Sequence, residues 1–271
     1  MRVRALEDPH LQEFDRWTLD IGNGNMSYVK ISENLMAVKI VSETKAIHDL
    51  VDIVFPNINT NIQNYKWLNG RAILAFTNRQ VKAINDIAMQ KVGNLTVMLE
   101  SVDKCTDTSD ELRFNPEFLH TLTPEGFPPH TLMLKPGIPL MLLRNLNPKH
   151  GLCNGTRLIF NSVISNKVLN CTIVESQAVV LIPRITFVPL SDDSWPIDWQ
   201  RKQFPVKPAF AMTINKSQGQ TMQMAGLFLR PEVFTHGQLY VAMSRVGSPA
   251  KLKVSAMNDY GKNIIFRDVL I

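Results

Sequence analysis

The chain has 271 residues, 45% hydrophobic and 20% charged, with a formal net charge of +5. That balance suits a globular chain of one large domain or two smaller ones. It contains no run approaching the roughly 18 uncharged apolar residues of a membrane span, and MRVRALEDPH meets acidic residues before the apolar core of a signal peptide could form, so a soluble intracellular protein is expected. Its three cysteines, Cys105, Cys153 and Cys171, are too few and scattered for a disulfide framework and form no C-x-x-C pair, so reduced thiols are expected. The surplus of lysine and arginine leans towards a polyanionic partner, because such side chains supply most sequence-independent affinity for nucleic acid.

In chain order, Leu11, Phe14, Trp17 and Leu19 stand near helical spacing and run into the turn-rich Ile21-Gly22-Asn23-Gly24-Asn25. Ala46, Leu50, Val51 and Val54 predict an amphipathic helix over 42–55, ending before Pro56. Arg71 to Phe76 is a short buried strand, Thr77-Asn78 a polar turn, and Val81, Ile84, Ile87 and Ala88 a helix face. Capping residues at that helix start leave backbone N–H groups placed for an anion. From about Val102 to Pro129 the chain is polar and proline-rich, after which five β-prone runs follow: 139–143, 157–160, 168–174, 178–182 and 185–188. They predict a small barrel inserted between α/β pieces. A hinge-like stretch from Trp195 to Pro205 leads to a helix-prone 209–215, a strand at 226–229, a helix over 237–246 and a strand at 251–254.

Two polar constellations stand out. Asn215-Lys216-Ser217-Gln218-Gly219-Gln220-Thr221 lies between apolar segments, with a lysine, two hydroxyls and three carboxamides able to bond phosphate or ribose oxygens; a solvated surface loop accounts for it equally well. In Gly237 to Arg245, Leu239, Val241 and Ala242 face a core and leave Gln238 and Arg245 on another side. An arginine there can stabilise charge on a phosphoryl group or simply pair at the surface.

Taken together, Phe210 to Thr221 followed by His236 to Arg245 closely resemble motifs V and VI of DNA helicases of the petite-integration-frequency (PIF) and Helitron type. The similarity extends to Arg71–Asn85, which resembles motif IV, to Glu117-Phe118-Leu119, Phe127-Pro128-Pro129-His130, and Leu142 to Leu146 through Gly151 to Arg157. The resemblance implies an α/β fold: a second RecA-like motor domain of the P-loop NTPase type over 26–100 and 204–271, interrupted at 101–203 by a β-rich insert with a small SH3-like β-barrel. Residues 1–25 would connect to a first motor domain that the chain lacks. It further implies the carboxy-terminal portion of an ATP-dependent 5′-to-3′ DNA helicase that grips single-stranded DNA, uses ATP and Mg2+, and works in repair or recombination in the nucleus or mitochondrion. Residue by residue, it implies Arg245 as arginine finger, Gln218, Gly219, Gln238 and Tyr240 near the nucleotide, and Asn78, Thr213, Asn215, Lys216 and Ser217 towards DNA. Asn215 stands where many members carry histidine and cannot titrate near neutral pH.

The chain has no G-x-x-x-x-G-K-[ST] and no apolar strand ending in Asp-Glu; Gly22-Asn23-Gly24 and Gly261-Lys262-Asn263 do not substitute. Neither phosphate cradle nor Mg2+ site is therefore expected, and no independent ATPase. The other readings are a stand-alone nucleic-acid-binding module and an inactive transposon remnant. Trp17, Trp67, Trp195 and Trp199 are expected to pack. His120, His130, His150 and His236 show no metal-ligand spacing, so no metal is expected. Arg144, Lys149 and Arg157 flank a turn and could meet a DNA backbone or water.

Overall fold

The computed structural model describes residues 8–31, 35–106, 114–189, 197–230 and 235–266. Trp195 with the start of the expected hinge, residues 1–7 of the expected connector and the last residues of the expected motor domain lie outside them. Two compact units result: residues 1–92 with 210–271, and residues 93–209. No helix among the described residues is long and apolar enough to cross a membrane.

The first unit begins with α1 (Pro9–Gly22), capped by the Asp8 side chain, which accepts from the His10 N–H at 2.9 Å. Phe14, Thr18 and Ile21 are its buried face. The stretch expected to act as a connector is thus built into this unit. Asn263 Nδ2 donates to the carbonyls of Ile21 and Met26 at 2.8 and 2.9 Å. A methyl group at Gly22 would come within 2.8 Å of the Tyr240 ring, so only glycine permits that close approach.

After β1 (Tyr28–Lys30) and β2 (Met36–Lys39), α2 (Glu43–Val54) buries Ala46, Ile47, Leu50, Val51 and Val54, each large side chain contributing about 1.5–3 kcal/mol. The short α3 (Ile58–Asn61) and α4 (Tyr65–Asn69) lead to β3 (Arg71–Ala75), buried from Ala72 onward. α5 (Asn78–Lys91) follows, burying Val81, Ile84, Ile87 and Ala88. Its start differs from the open anion site expected: Gln80 N–H donates to Thr77 Oγ1 at 3.3 Å and Thr77 N–H to Gln80 Oε1 at 3.2 Å, so a capping box takes up donors that an anion would need.

The second unit holds β4 (Val97–Glu100), β5 (Val102–Cys105), α6 (Pro116–Thr121), β6 (Thr131–Leu134), β7 (Pro139–Leu142), β8 (Arg157–Ser165), β9 (Val168–Ile173), β10 (Val179–Pro183), β11 (Ile185–Phe187), β12 (Trp199–Gln203) and β13 (Val206–Pro208). Its strands form a five-stranded antiparallel sheet in the order β10-β9-β8-β7-β13, a three-stranded sheet β11-β12-β5 and the pair β4-β6. The five expected runs therefore do not form one barrel. Four of them share the larger sheet, but 185–187 pairs with β12, and β13, from outside the expected set, takes the edge beside β7. Among the described residues the ladder does not close, since β10 and β13 each pair on one side only. Pairing of β4 with β6 and of β13 with β7 also moves 97–100 and 206–208 into this unit, where the resemblance placed them with the motor.

The expected hinge is instead, over 199–203, a buried central strand. Trp199, Arg201 and Gln203 point inward at the two-residue spacing of a strand. Arg201 is fully buried and donates Nε and Nη2 to the two Asp103 oxygens at 2.9 and 2.7 Å, Nη1 to the carbonyls of Leu122 and Pro128, and Nη2 to that of Leu119. Every guanidinium N–H is thereby used. Around it pack Cys105, Leu119, Leu122, Phe127, Phe187, Ile197 and Trp199.

The chain returns to the first unit with β14 (Ala211–Thr213), β15 (Met224–Leu229), α7 (Gln238–Met243), β16 (Leu252–Ala256) and β17 (Tyr260–Lys262). The sheet order is β14-β3-β15-β16-β2, parallel throughout. The helix expected over 209–215 is thus a strand and a 3-10 turn. Ala211 pairs with Ile73, and Asn85 caps the outer edge, exchanging hydrogen bonds with Ala211 N–H and C=O at 3.0 and 3.2 Å. Tertiary pairing overrides the local helix preference of Ala and Met. Gly226 lies so close beneath α2 that a Cβ there would sit 2.7 Å from Val54 Cγ2.

Candidate nucleic-acid and nucleotide-facing site

Because β3 and β14 run parallel, their carboxyl ends lie on the same edge of the sheet. The turns that follow, Thr77-Asn78 and Ile214–Ser217, are therefore neighbours, at the edge where ligands of open α/β sheets collect. Asn78, Asn215, Lys216, Gln218 and Gly219 are exposed there and Thr213 half-buried. Ser217 departs from its expected role: it is fully buried, and its hydroxyl donates to the Ile214 carbonyl at 2.7 Å, closing the 3-10 turn that holds out Asn215 and Lys216. Gly219 follows with φ +81 and open space where a Cβ would stand, so backbone conformation alone calls for glycine.

α7 is seated against this turn. Gln238 is buried, and its Nε2 donates to Asn215 Oδ1 at 3.5 Å while its Oε1 finds no partner. A buried acceptor without a donor carries a desolvation cost of about 1–3 kcal/mol, and it marks a place where an incoming donor would be welcome. Arg245 is half-buried and turned inward. Its Nε donates to Val241 O at 2.6 Å, its Nη1 to Gln220 O at 3.1 Å and Ser217 O at 3.3 Å, and its Nη2 to Ser244 Oγ at 2.7 Å. All these partners are neutral, and burial holds the guanidinium below its usual value, opposed by Tyr240. Arg245 therefore joins the 217–220 loop to α7, rather than projecting as a finger. Tyr240 spends its ring on Gly22.

Other expected contacts resolve individually. Arg157 is buried, its Nη2 donating to the Ala209 carbonyl at 3.3 Å, and desolvation pushes it down to about 10, so it is structural rather than DNA-facing. Arg144 lies with Cζ 5.0 Å over the Phe187 ring, and Lys149 is exposed. Trp199 is buried, whereas Trp17 and Trp67 are half-buried, Trp67 carrying the Arg71 guanidinium 4.6 Å above its ring. Although the histidines show no metal-ligand spacing along the sequence, Asp103, His120 and His130 come together in the second unit, one donor atom of each within 4.8 Å of the others. Three separate elements supply them, so linear spacing carried no signal.

For ATP and Mg2+, the residues present fit only in part. Gln238 and Arg245 offer one polar wall, but among the described residues no carboxylate pairs with Arg245, and the single three-donor grouping lies in the other unit. A Mg2+ site does not fit the first unit as described, and no step is derived through one.

A parallel α/β sheet with polar loops on its carboxyl edge, together with a β-rich unit, defines the class: a mixed α/β architecture. Residues 117–163 match the family model described as DNA helicase Pif1, 2B domain. The chain is 29% identical over 194 residues to the ATP-dependent DNA helicase PIF1 of Danio rerio, covering 70% of this chain and 28% of that protein. With the Homo sapiens protein of the same name it shares 32% over 146 residues, 52% of this chain and 22% of that one. The fold matches Bacteroides Pif1 helicase in complex with ADP-AlF3 and single-stranded DNA, with TM-score 0.60 and 20% identity over 98% of this chain and 53% of that one. It also matches Candida albicans Pif1 helicase, with TM-score 0.55 and 21% identity over 84% and 56%. By these matches the chain is similar to part of the PIF1-type DNA helicases, and it spans under a third of the length of these two curated relatives.

Proposed function

We propose that the chain is the DNA-gripping part of an ATP-dependent 5′-to-3′ DNA helicase of the PIF/Helitron type, with its first unit acting as the second RecA-like motor domain and its second unit as the β-rich insert. The observation that carries this reading is that Asn78, at the start of α5, lies on the same sheet edge as Asn215 and Lys216, which are held out by a turn that Ser217 closes and Arg245 anchors. An exposed lysine beside two carboxamides suits a phosphodiester backbone, recognised through charge and hydrogen bonds rather than sequence. Arg245 would reach a phosphoryl group only by giving up its bonds to Ser217 and Gln220, so nucleotide engagement and the DNA-side loop would be coupled through one side chain. With no phosphate cradle among these 271 residues, they are expected to show no ATPase activity by themselves.

The test is fluorescence anisotropy with a labelled single-stranded oligonucleotide over a salt series, with and without ATP and Mg2+, comparing Lys216→Ala and Arg245→Ala. Salt-sensitive binding, weakened by Lys216→Ala and indifferent to nucleotide, supports the reading. Binding that needs ATP would overturn the absence of a phosphate site, and no binding at low salt would favour an inactive remnant.

A further inference from the structure

The second unit holds a group of donors that the DNA-gripping role does not use. We propose that His120 and His130, supported by Asp103, bind a divalent transition-metal ion of the zinc class, which staples α6 to the turn ahead of β6.

The two imidazoles face each other with ring centroids 3.6 Å apart and planes inclined by 15°. No hydrogen bond between them accounts for the approach.

Hydrogen-bond geometry selects the nitrogen. Ser101 Oγ donates its only proton to Asp103 Oδ1 at 2.6 Å and lies 2.8 Å from His130 Nδ1. Towards the ring that oxygen must accept, so Nδ1 carries the proton and Nε2 is bare. Asp103 Oδ2 stands 3.4 Å from the same Nδ1. This is the arrangement in which a carboxylate orients an imidazole and raises its basicity towards a metal.

Asp103 is itself held immobile by Arg201, so it positions His130 while the imidazole nitrogens and water coordinate. Bringing donors from within 4.8 Å to the separation set by metal–nitrogen bonds of about 2.0–2.1 Å needs a turn of the partly exposed His120 ring out of the stack. Arg201 already neutralises Asp103, which makes this an open site of modest affinity, unlike a closed four-ligand zinc centre. Imidazole donors favour zinc, copper or nickel over magnesium or calcium.

The experiment titrates the metal-stripped full chain with Zn2+ alone by calorimetry, and with Co2+ for its visible absorption. One ion per chain is expected, with affinity falling at least about tenfold in His120→Ala and in His130→Gln and unchanged in His48→Ala and His150→Ala. His120→Ala places a good helix former on a partly exposed position, so circular dichroism should show an intact fold and keep the comparison valid. Absence of saturable Zn2+ binding, or binding that survives both substitutions at 120 and 130, overturns the proposal.

Discussion

Replacing Arg201 with Met isolates the largest buried electrostatic feature of the second unit. The side chains of Arg201 and Asp103 are both 0% exposed, and three backbone carbonyls share the guanidinium. Met fills much of the volume but leaves Asp103 charged, buried and held only by Ser101 and His130. Losing one partner of a buried pair costs about 3–5 kcal/mol, a large fraction of the 5–15 kcal/mol typical of a whole domain. The assay is urea unfolding of the full chain followed by tryptophan fluorescence, since Trp199 packs beside the site with its ring 5.1 Å from the Arg201 Cζ. Adding Asp103→Leu should restore much of the loss, because the stranded charge causes it.

The same reasoning gives a pH signature. Burial pushes the Asp103 carboxyl up, but hydrogen bonds from Arg201 and Ser101 and the guanidinium charge outweigh it and hold it below its usual value. A depressed carboxyl contributes stability above its unfolded value, about 3.9, and that contribution fades as pH falls through the lower folded value. In Arg201→Met the carboxyl is pushed up instead, so the deficit should shrink towards acid pH as Asp103 takes a proton. A loss below about 1 kcal/mol, or a double variant no better than the single one, refutes the account.

Lys216→Ala should weaken single-stranded DNA binding with stability within about 0.5 kcal/mol of the parent, and should reduce the salt slope by about 0.7 for one lost phosphate contact; an unchanged slope removes Lys216 from the interface. Gly226→Ala places a Cβ 2.7 Å from Val54 Cγ2 and 3.0 Å from Ile73 Cγ1, so thermal or urea melts should show a loss of about 1–3 kcal/mol from overpacking. Burial pushes the Cys171 thiol from 9.0 up to about 12. Between those values the unfolded chain ionises while the folded one does not, so stability falls as pH rises, by at most about 1.4 kcal/mol per pH unit. Cys171→Ala should flatten that alkaline slope, and Cys171 should react with thiol reagents only on unfolding.

Much of the first unit was legible in the sequence because its elements carry local signatures. Ala46, Leu50, Val51 and Val54 mark α2 by helical periodicity, and Arg71 to Ala75 reads as a strand because both faces of a central parallel strand are apolar. The polar motif 215–221 and Arg245 were visible for the same reason, since chemistry-bearing residues concentrated in short runs are local information. The second unit resisted: its strands are short, and which run pairs with which depends on partners far along the chain. β11 and β13 exchange places relative to expectation on account of ladders that no window of sequence contains.

By itself the sequence determined the α/β character of the first unit, the polar motifs, their resemblance to PIF and Helitron helicases, and the lack of a phosphate-cradle motif. Tertiary structure alone decided the orientation of groups. Ser217 turns inward and Arg245 folds onto carbonyls because a sheet edge and a helix meet there. Arg201 on an apparent hinge becomes a buried hub, and Asp103, His120 and His130 become neighbours. Periodicity encodes which face of an element is apolar, whereas hydrogen-bond partners and donor clusters depend on which distant faces are brought together.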